Sequence, residues 1–448
     1  MSDLINKKLI DKVAKATFVH IVTIGTKPDI IKQAPLYHEL IKRGETVLLF
    51  HTGQHYDYRY SGGVEEEFGL DVDVRLSIDG SLAQKTAQMI DQFGTILTYL
   101  LEQKKIPIPY VHGDTSTASA IAYSAMLHGV ACVHVEAGIR TLTPREAIYH
   151  YFYKEFKENR FDWNEYYLTM QDIDTYSRGS MEPYPEQVNT RMIEPASGFY
   201  ATPVEITKEF LLSEGFEESK ISVVGNTIAD PTLKALREAE SSDIFSHYPL
   251  LEAGNFVMVS IHRRETLNDR MRFVAIMDAL ELLVKDGIRV LFLSLNGTEQ
   301  ALDRYKLRTK VMSLVKKYPE LFIYSEAWAY HKDVIAAMRR SAVVASDSGG
   351  FQEEANIVGV PCVTLRYGSD RGESFIAGAN VPAPPFDSAF IVSIIKGAMN
   401  NQDMISVGNI YGENVSKKIV DGVLSHLDPE TGFYMREERR LGFTSFTQ

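Results

Sequence analysis

The chain has 448 residues, of which 45% are apolar, so it can bury a large core, and its length favours two domains. It carries 47 Lys and Arg against 59 Asp and Glu, a net charge of -12. This balance argues against general nucleic-acid binding, because a phosphate backbone requires a basic face, but a small anionic ligand remains compatible with it.

The amino terminus and the cysteines indicate the compartment. The opening segment, MSDLINKKLIDKVAKA, places charges in every turn and lacks the apolar run of a signal peptide or membrane span. Cys132 and Cys362 lie inside the apolar runs GVACVHV and GVPCVTL, which is typical of buried free thiols in a reducing compartment. We therefore predict a soluble cytoplasmic protein that does not contact a membrane.

From Phe18 onward, short runs rich in Val and Ile alternate with longer segments of helical period, as in FVHIVTIG, TVLLFHTG and ACVHVEAG, and later in NFVMVSIH and AVVASDSGG. Runs that are apolar at successive positions predict parallel strands covered by helices on both faces. The alternation occurs twice, which predicts an α/β protein with two Rossmann-like domains facing a cleft. The segment ISVVGNTIADPT marks the boundary, giving domains at about 1–224 and 225–411.

Residues 142–184 do not follow this alternation. The segment is dense in aromatic and charged residues, as in YHYFYKEFKENRFDWNEYYLTMQD, and shows amphipathic turns but no strand of its own. We predict a mainly helical insert in the first domain. Its aromatic content favours a packing or dimer surface over a substrate lid.

The first predicted strand ends in IGTKPDIIKQAP, where Pro28 suits the first turn of a helix whose free amino end attracts phosphate. Lys27 and Lys32 would add positive charge there, although an ordinary turn with solvated lysines is the simpler interpretation. The turn contains neither GxGxxG nor GxxxxGK[ST], which argues against a dinucleotide cofactor and against NTPase chemistry.

Carboxylates follow two further strands of the first half. Asp114 follows VHG, and Glu136 follows CVHV with Arg140 four residues later. An aspartate at a strand end is commonly a helix N-cap, but neighbouring carboxylates at one sheet edge also suit acid/base chemistry. His51 and His55 of HTGQH, with His112 and His134 at later strand ends, are possible metal ligands. They lack an HExxH motif or a Cys/His cluster, so we predict no metal site.

Basic residues follow the strands of the second half. SIHRRET places His262, Arg263 and Arg264 in a row, and LRYGSDRGES adds Arg366 and Arg371. A solvated basic turn is one interpretation. In a chain this acidic, however, a group of cations at a sheet edge favours an anion site.

The segment SDSGGFQEEA follows the apolar run AVVA, so a polar, glycine-rich turn joins a buried strand to a helix. Ser348, Gly349 and Gly350 there offer backbone N–H groups to a phosphate. A glutamate farther along the helix can accept hydrogen bonds from a ribose diol. The stretch therefore predicts a site for a diphosphate and a sugar.

Nine segments of the chain resemble, in the same order, the motifs of the non-hydrolysing UDP-N-acetylglucosamine 2-epimerases. They are GTKPDIIKQAP, TGQH, HGDT, HVEAGIRT, PEQVNTR, VVGNTIAD, HRRE, DSGGFQEEA and SDRGE. The resemblance runs from about Phe18 to about Asn414, interrupted by residues 142–184. It implies a fold of the glycosyltransferase-B type, with a C-terminal segment, about 412–448, that returns to the first domain. It also implies a UDP-sugar substrate, no metal or other cofactor, and a homodimer.

The implied reaction interconverts UDP-N-acetylglucosamine and UDP-N-acetylmannosamine by eliminating UDP to give a 2-acetamidoglucal and adding it back. Asp114, Glu136 and Glu186 match the family's acidic positions and are expected to move the C2 proton. His262 matches a histidine that meets the diphosphate, and Glu354 is expected to hold the ribose. The residues expected to bind substrate are Lys27, Lys32, Arg140, Arg264, Asn296, Ser348, Gly349, Gly350, Glu354 and Arg371.

Six positions depart from the family pattern, and the first of them is Lys27, which stands where an arginine is usual. Gln187 stands where a second glutamate is usual, and Thr190 where an arginine is usual. Ser294 replaces a histidine and Tyr56 an arginine at positions that resemble parts of the bacterial enzymes' allosteric substrate site. Gly372 replaces a proline, which together with the insert raises the question of a different sugar.

Four alternatives to the epimerase therefore stay open. A hydrolysing 2-epimerase shares the motifs but admits water to the glycal, and an epimerase for a related UDP-sugar would differ only in sugar contacts. A glycosyltransferase shares the fold, which is weak evidence for function. A nucleotide-sugar sensor without turnover is supported only by the changes at Gln187, Thr190 and Ser294.

Overall fold

The computed structural model describes residues 4–53, 62–180 and 182–433. The chain forms two compact units, of which unit 1 comprises Met1–Ile139, Pro185–Pro231 and Gly412–Gln448, and unit 2 comprises Arg140–Tyr184 and Thr232–Tyr411. His55 and Tyr56, together with residues 434–448 of the predicted C-terminal segment, lie outside the described residues.

The strands and helices alternate along most of the chain. The strands are β1 (Phe18–Ile24), β2 (Val47–His51), β3 (Val74–Arg75), β4 (Ile106–His112), β5 (Cys132–Val135), β6 (Thr143–Pro144), β7 (Tyr176–Ser177), β8 (Ser197–Thr202), β9 (Ile221–Val223), β10 (Val257–Ser260), β11 (Val290–Ser294), β12 (Phe322–Glu326), β13 (Val343–Ser346), β14 (Cys362–Thr364) and β15 (Asn380–Pro382). The helices are α1 (Lys7–Val13), α2 (Lys27–Lys42), α3 (Gly62–Glu67), α4 (Leu82–Glu102), α5 (Ser116–Leu127), α6 (Glu146–Lys157), α7 (Trp163–Thr169), α8 (Glu186–Ile193), α9 (Glu205–Ser213), α10 (Ala229–Glu238), α11 (Ile244–His247), α12 (Arg264–Leu267), α13 (Arg270–Lys285), α14 (Asn296–Arg304), α15 (Arg308–Lys317), α16 (His331–Arg340), α17 (Gly349–Val358), α18 (Gly372–Ile376), α19 (Ser388–Ala398), α20 (Gln402–Ser406) and α21 (Val415–His426).

Each unit is built on one parallel sheet. Unit 1 has the order β3-β2-β1-β4-β5-β8-β9, and unit 2 has β12-β11-β10-β13-β14-β15. In each sheet the order reverses beside the first strand, between β1 and β4 and between β10 and β13, and open α/β sheets bind ligands outside the carboxyl ends of the strands at such a point. The predicted pair of doubly wound α/β domains is confirmed.

Two helices that begin at these switch points are capped by their own sequence. The Thr26 hydroxyl accepts the Asp29 N–H at 3.4 Å, and Asp29 Oδ2 accepts the Thr26 N–H at 3.0 Å, which forms a capping box at the start of α2. The Ser348 hydroxyl accepts the Phe351 N–H at 3.4 Å and caps α17. The positive ends of both helix dipoles therefore lie at the ligand edge of a sheet.

The predicted insert, 142–184, belongs to unit 2, which corrects its assignment to the first domain. Tyr149, Phe152 and Tyr166 are buried in the same apolar core as the strands of the second sheet. The hydroxyl of Tyr166 donates to the Pro382 carbonyl at 2.7 Å. Chain order alone cannot show which sheet an aromatic face covers, because that depends on contacts with distant residues.

The insert is mainly helical, as predicted, with α6 and α7 as its longest elements. It also contains a short antiparallel ribbon of β6 with β7, which corrects the expectation that it has no strand. Within the described ranges, no helix combines the length and apolar character needed to cross a bilayer.

Candidate active site

Glu136 lies at the carboxyl end of β5 in an unusual backbone conformation. Its φ of +64° falls in the left-handed region, which non-glycine residues rarely adopt and which recurs at functional sites. The side chain is buried, and Oε1 lies 2.5 Å from Nζ of Lys32 on α2. The structure therefore joins two of the predicted site residues in a buried ion pair.

His112, the last residue of β4, lies on the other side of this carboxylate. Its Nε2 is 3.2 Å from Glu136 Oε1, and its Nδ1 is 3.3 Å from Asp29 Oδ1. Burial by itself lowers the pKa of His112, but the charge of Glu136 and the hydrogen bond with Asp29 outweigh burial and the opposing charge of Lys32, raising the pKa to about 9. The ring is therefore an imidazolium at neutral pH.

Asp29 and His112 were not predicted as members of this site. Asp29 is the third residue of α2 and, in the sequence, looks only like a capping residue. His112 was considered only among possible metal ligands, and the described residues contain no group of three or more His, Cys, Asp or Glu side chains that could hold a metal ion. The sequence signal that could have found the pair is the polar strand end VHGD next to the start of a capped helix.

Asp114 and Glu186 lie on elements that meet at the same sheet edge. β4 and β5 are paired, with His112 opposite Val135, so Asp114 and Glu136 follow adjacent strands. The half-buried Asp114 accepts a hydrogen bond at its main-chain oxygen from Asn189 Nδ2 at 2.8 Å. Asn189 belongs to α8, whose first residue is Glu186, so this bond ties the third predicted carboxylate to the Asp114 turn.

In unit 2, α17 starts immediately after β13 and leaves little room at its first residue. A Cβ atom on Gly349 would lie 3.3 Å from Nη2 of Arg263 and 3.5 Å from Cζ of Arg371. Two guanidinium groups therefore converge on the amino end of this ten-residue helix. Backbone N–H groups, a helix dipole and two arginines together form an anion site.

A buried carboxylate holds the arginines in place. Asp370 Oδ1 lies 2.5 Å from Arg366 Nη1, and Oδ2 lies 3.0 Å from Arg371 Nη1 and 3.5 Å from Arg263 Nη2. Burial alone would raise the pKa of Asp370, but Arg366, Arg371 and Arg263 hold it well below its ordinary value. Glu353 of α17 also pairs with Arg371 through Nε.

His262 follows β10 in a turn that a second buried aspartate fixes. Asp347 Oδ1 accepts the His262 N–H at 2.9 Å, and Oδ2 accepts the Arg263 N–H at 3.0 Å. Burial lowers the pKa of His262, and the charges of Arg263 and Arg366 lower it further against the effect of Asp347. A neutral imidazole therefore stands beside the arginine cluster. Sequence reasoning missed Asp347, although it precedes the predicted Ser348.

The structure brings Arg263, rather than the predicted Arg264, to the arginine cluster. Arg264 is exposed and begins the short helix α12. Asn296 is likewise exposed, as the first residue of α14. Arg140 is buried and belongs to unit 2, and Lys27 is half-buried as the first residue of α2.

Two further predicted positions have specific neighbours. Glu354 is buried, and its Oε1 lies 2.8 Å from Nε2 of His331, the first residue of α16. Ser294, which stands where the family pattern has a histidine, donates its hydroxyl hydrogen bond to Glu299. Glu299 also accepts from Tyr324 and pairs with Arg308 at 2.7 Å.

Known proteins are similar to this chain over most of its length. A family model described as UDP-N-acetylglucosamine 2-epimerase matches residues 38–149 and 177–424, leaving 150–176 of the insert unmatched. A UDP-N-acetylglucosamine 2-epimerase of Methanocaldococcus jannaschii is 29% identical over 367 residues, which is 80% of this chain and 87% of that protein. A UDP-2,3-diacetamido-2,3-dideoxy-D-glucuronate 2-epimerase of Pseudomonas aeruginosa is 26% identical, with 80% of this chain and 86% of that protein covered.

Among solved structures, the chain is similar to a crystal structure of the Methanocaldococcus jannaschii UDP-GlcNAc 2-epimerase in complex with UDP-GlcNAc and UDP. The TM-score is 0.72 at 27% identity, and the match covers 91% of this chain and 99% of that one. This likeness confirms the predicted glycosyltransferase-B type of fold.

Proposed function

This chain belongs to the UDP-N-acetylglucosamine 2-epimerase family, and we propose that it interconverts UDP-N-acetylglucosamine and UDP-N-acetylmannosamine without net hydrolysis. The observation that carries the proposal is the buried Lys32–Glu136–His112 arrangement at one switch point, together with the arginine cluster at the other. The first supplies groups for proton exchange, and the second supplies permanent positive charge for a diphosphate.

In the proposed reaction, a carboxylate removes the proton from C2 of the sugar. The electron pair of that C–H bond forms the C1–C2 double bond while the bond from C1 to the UDP oxygen breaks. The 2-acetamidoglucal then receives a proton at C2 on the opposite face, and UDP adds back to C1. Glu136, Asp114 and Glu186 are proposed to hold and return these protons, because all three lie on elements of one sheet edge.

The departing UDP carries the developing negative charge. Arg263, Arg371 and the amino end of α17 would bind its phosphates, with Ser348, Gly349 and Gly350 contributing backbone N–H groups. His262, as a neutral imidazole, would donate one hydrogen bond to the diphosphate. Glu354 is proposed to bind the ribose, with His331 as its neighbour.

Five further residues complete the proposed set of substrate contacts. Lys27 and Lys32 lie on the first helix of unit 1 and are proposed to contact the substrate's anionic groups. Arg140, Asn296 and Arg264 stay predicted substrate contacts. The cytoplasmic location and the homodimer also stay predictions.

The proposed sugar is N-acetylglucosamine, the one named in the description of the matching family model. The Pseudomonas aeruginosa relative, 26% identical to this chain, is named as a 2-epimerase of a diacetamido glucuronate, which is a different UDP-sugar. The departures at Gln187 and Thr190 lie on α8, beside Glu186. A changed sugar preference would therefore arise at this helix.

Proton NMR of the purified protein with UDP-N-acetylglucosamine in D2O tests the proposal. Deuterium at C2 together with the manno epimer, with UDP still attached, is the expected result. Free N-acetylmannosamine plus UDP would identify a hydrolysing enzyme instead. If neither product forms, the diacetamido glucuronate is the next substrate to test, and its inertness as well would contradict the proposed epimerase.

A further inference from the structure

The ion pair of Lys32 with Glu136 accounts for only part of the surroundings of Glu136. The same carboxylate oxygen, Oε1, lies 2.5 Å from Lys32 Nζ and 3.2 Å from His112 Nε2. All three side chains are buried. One oxygen of the proposed proton carrier thus faces two cationic nitrogen atoms in a region that solvent does not screen.

The second nitrogen of His112 is fixed by a carboxylate that already has a structural task. Asp29 Oδ2 accepts the Thr26 N–H at 3.0 Å and completes the capping box of α2. Asp29 Oδ1 is therefore held in place, 3.3 Å from His112 Nδ1. The contacts therefore form a chain from the carboxylate of Asp29, through the imidazole of His112, to the carboxylate of Glu136.

We propose that His112, oriented by Asp29, is a positioning residue that keeps Glu136 ionised and in one conformation, so that Glu136 acts as the base at C2. The inference rests on the proposed function, because it needs Glu136 to exchange the C2 proton. It also separates the roles of the carboxylates. The proton that returns to C2 then comes from Asp114 or Glu186, which are tied together through Asn189.

The physical reason is the cost of an isolated buried charge. A carboxylate that has lost one of two cationic neighbours in a buried site is more easily protonated, and a protonated Glu136 cannot take a proton from C2. The charged groups that face His112 are Asp29 and Lys32 from α2 and Glu136 from the turn after β5. Their net effect raises the pKa of the ring to about 9.

NMR titration of the His112 ring in the full-length wild-type protein tests the arrangement without any turnover. We expect a titration midpoint near 9. The midpoint should be clearly lower in Asp29→Asn, because the amide replaces one of the two negatively charged carboxylates beside the ring. A midpoint at or below the ordinary 6.5 in the wild type would overturn the inference.

Kinetics of His112→Gln test the consequence for catalysis. We expect kcat to fall about 10- to 100-fold, because the base is both misplaced and partly protonated, with UDP affinity unchanged. The acidic limb of the pH profile should move to higher pH, and Asp29→Asn should move it in the same direction by a smaller amount. A wild-type profile in His112→Gln would overturn the inference.

His20→Gln provides a matched control. His20 is also a buried histidine of this sheet, with Nδ1 2.8 Å from the Tyr110 hydroxyl and Nε2 3.3 Å from Glu45. It lies early in β1, away from the carboxyl end of the strand. This variant should be less stable than wild type but keep the wild-type pH profile, and a shift equal to that of His112→Gln would count against a specific role.

Failure of this inference can be told apart from failure of the proposed function. If the wild-type protein exchanges no C2 proton in any UDP-sugar tested, the proposed function fails, while the His112 titration still decides whether the ring is charged between its two carboxylates. If the wild type exchanges and only the His112 predictions fail, the proposed function stands and the role of His112 is rejected.

Discussion

The sheets of the two units have the same strand order over six strands, but the side chains at their ligand edges carry charge in different ways. In unit 1, Lys32 and His112 face the carboxylates of Asp29 and Glu136 in a buried set of two cations and two anions. Carboxylate, ammonium and imidazole groups can all gain or lose a proton, and the pKa of His112, raised to about 9, keeps the ring charged beside Glu136 at neutral pH. This edge is suited to moving protons.

In unit 2, the corresponding edge carries Arg263, Arg366 and Arg371, which converge on Asp370 and on the amino end of α17. Guanidinium groups stay charged at every physiological pH, so this edge is suited to holding an anion rather than exchanging a proton. The contrast teaches that one fold repeated within a chain can support two kinds of chemistry, because function depends on the side chains at the switch point.

The largest expected effect comes from Glu136→Gln, which removes the proposed base and leaves the unit 2 edge intact. We expect C2 deuterium exchange to fall about 10²- to 10⁴-fold, the usual contribution of a positioned acid or base. UDP affinity, measured by calorimetry, should stay at the wild-type value. Wild-type exchange in this variant would remove Glu136 from the reaction and with it the division of labour between the two edges.

A smaller effect, on UDP affinity rather than on turnover, is expected from Arg371→Lys. Lysine keeps the charge but loses the fork that contacts Asp370 and Glu353 together, so UDP affinity should fall about 10- to 100-fold. Saturating substrate should restore most of the turnover. Arg339→Lys is a matched control, because Arg339 is exposed on α16, and it should leave UDP affinity unchanged.

The sequence allowed the sheets and several strand-end residues to be predicted, because these features are local. Apolar runs of Val and Ile revealed the strands, and Ser348 with Gly349 revealed the capped helix start. Glu136 and Lys32 followed from their places after β5 and β1. Their mutual contact was not predicted, because it joins residues 104 positions apart.

The parts that sequence reasoning missed depend on distant contacts. Asp29 looks like a capping residue, and only the register of β1 beside β4 brings α2 close to His112. The insert was assigned to the first domain, since the partners of its aromatic residues lie more than two hundred positions away, as for Tyr166 and Pro382. Gly372, whose departure from the family pattern raises together with the insert the question of a different sugar, also packs closely against the insert in the structure.

The packing of Gly372 gives the third prediction, which tests whether the insert holds the loop that carries Arg371 in place. A Cβ atom on Gly372 would lie 2.5 to 2.7 Å from three side-chain atoms of Leu142, at the start of the insert. Leu142 and Ser369 also exchange two main-chain hydrogen bonds of 2.9 Å. Gly372→Ala should therefore lower the free energy of unfolding by about 1 to 3 kcal/mol, measured by urea denaturation.

The cost of Gly372→Ala should shrink in a Leu142→Ala background, since that change removes the atoms that clash. Gly350→Ala serves as the control within the same unit, because its Cβ would meet only Ser348 Oγ at 3.9 Å. It should leave stability unchanged or slightly higher. Equal costs for Gly372→Ala in both backgrounds would show that the insert does not hold the loop that carries Arg371.

The smallest expected effect is a difference between the two edges in how the free energy of unfolding depends on pH. Because the pKa of His112 is raised from 6.5 to about 9 on folding, its contribution to stability is complete below pH 6.5 and disappears as pH rises through about 9. The difference in free energy of unfolding between wild type and His112→Gln should therefore shrink by about 1 to 2 kcal/mol between pH 6.5 and pH 8.

Comparing each variant with wild type at every pH separates this effect from other titrations, such as that of Glu373 in unit 2. Burial raises the pKa of Glu373 to about 7 against the charge of Arg371. The titration of Glu373 therefore lowers the free energy of unfolding as pH rises from the ordinary value of 4.5 through about 7. Between pH 8 and pH 9, where Glu373 is already ionised and the His112 difference still shrinks, the stability difference between wild type and Arg371→Lys should stay constant, because an arginine does not titrate there. If that difference also changed between pH 8 and pH 9, the unit 2 edge would contain a further titrating group coupled to its arginines, and the contrast between a proton-moving edge and a permanently charged edge would fail.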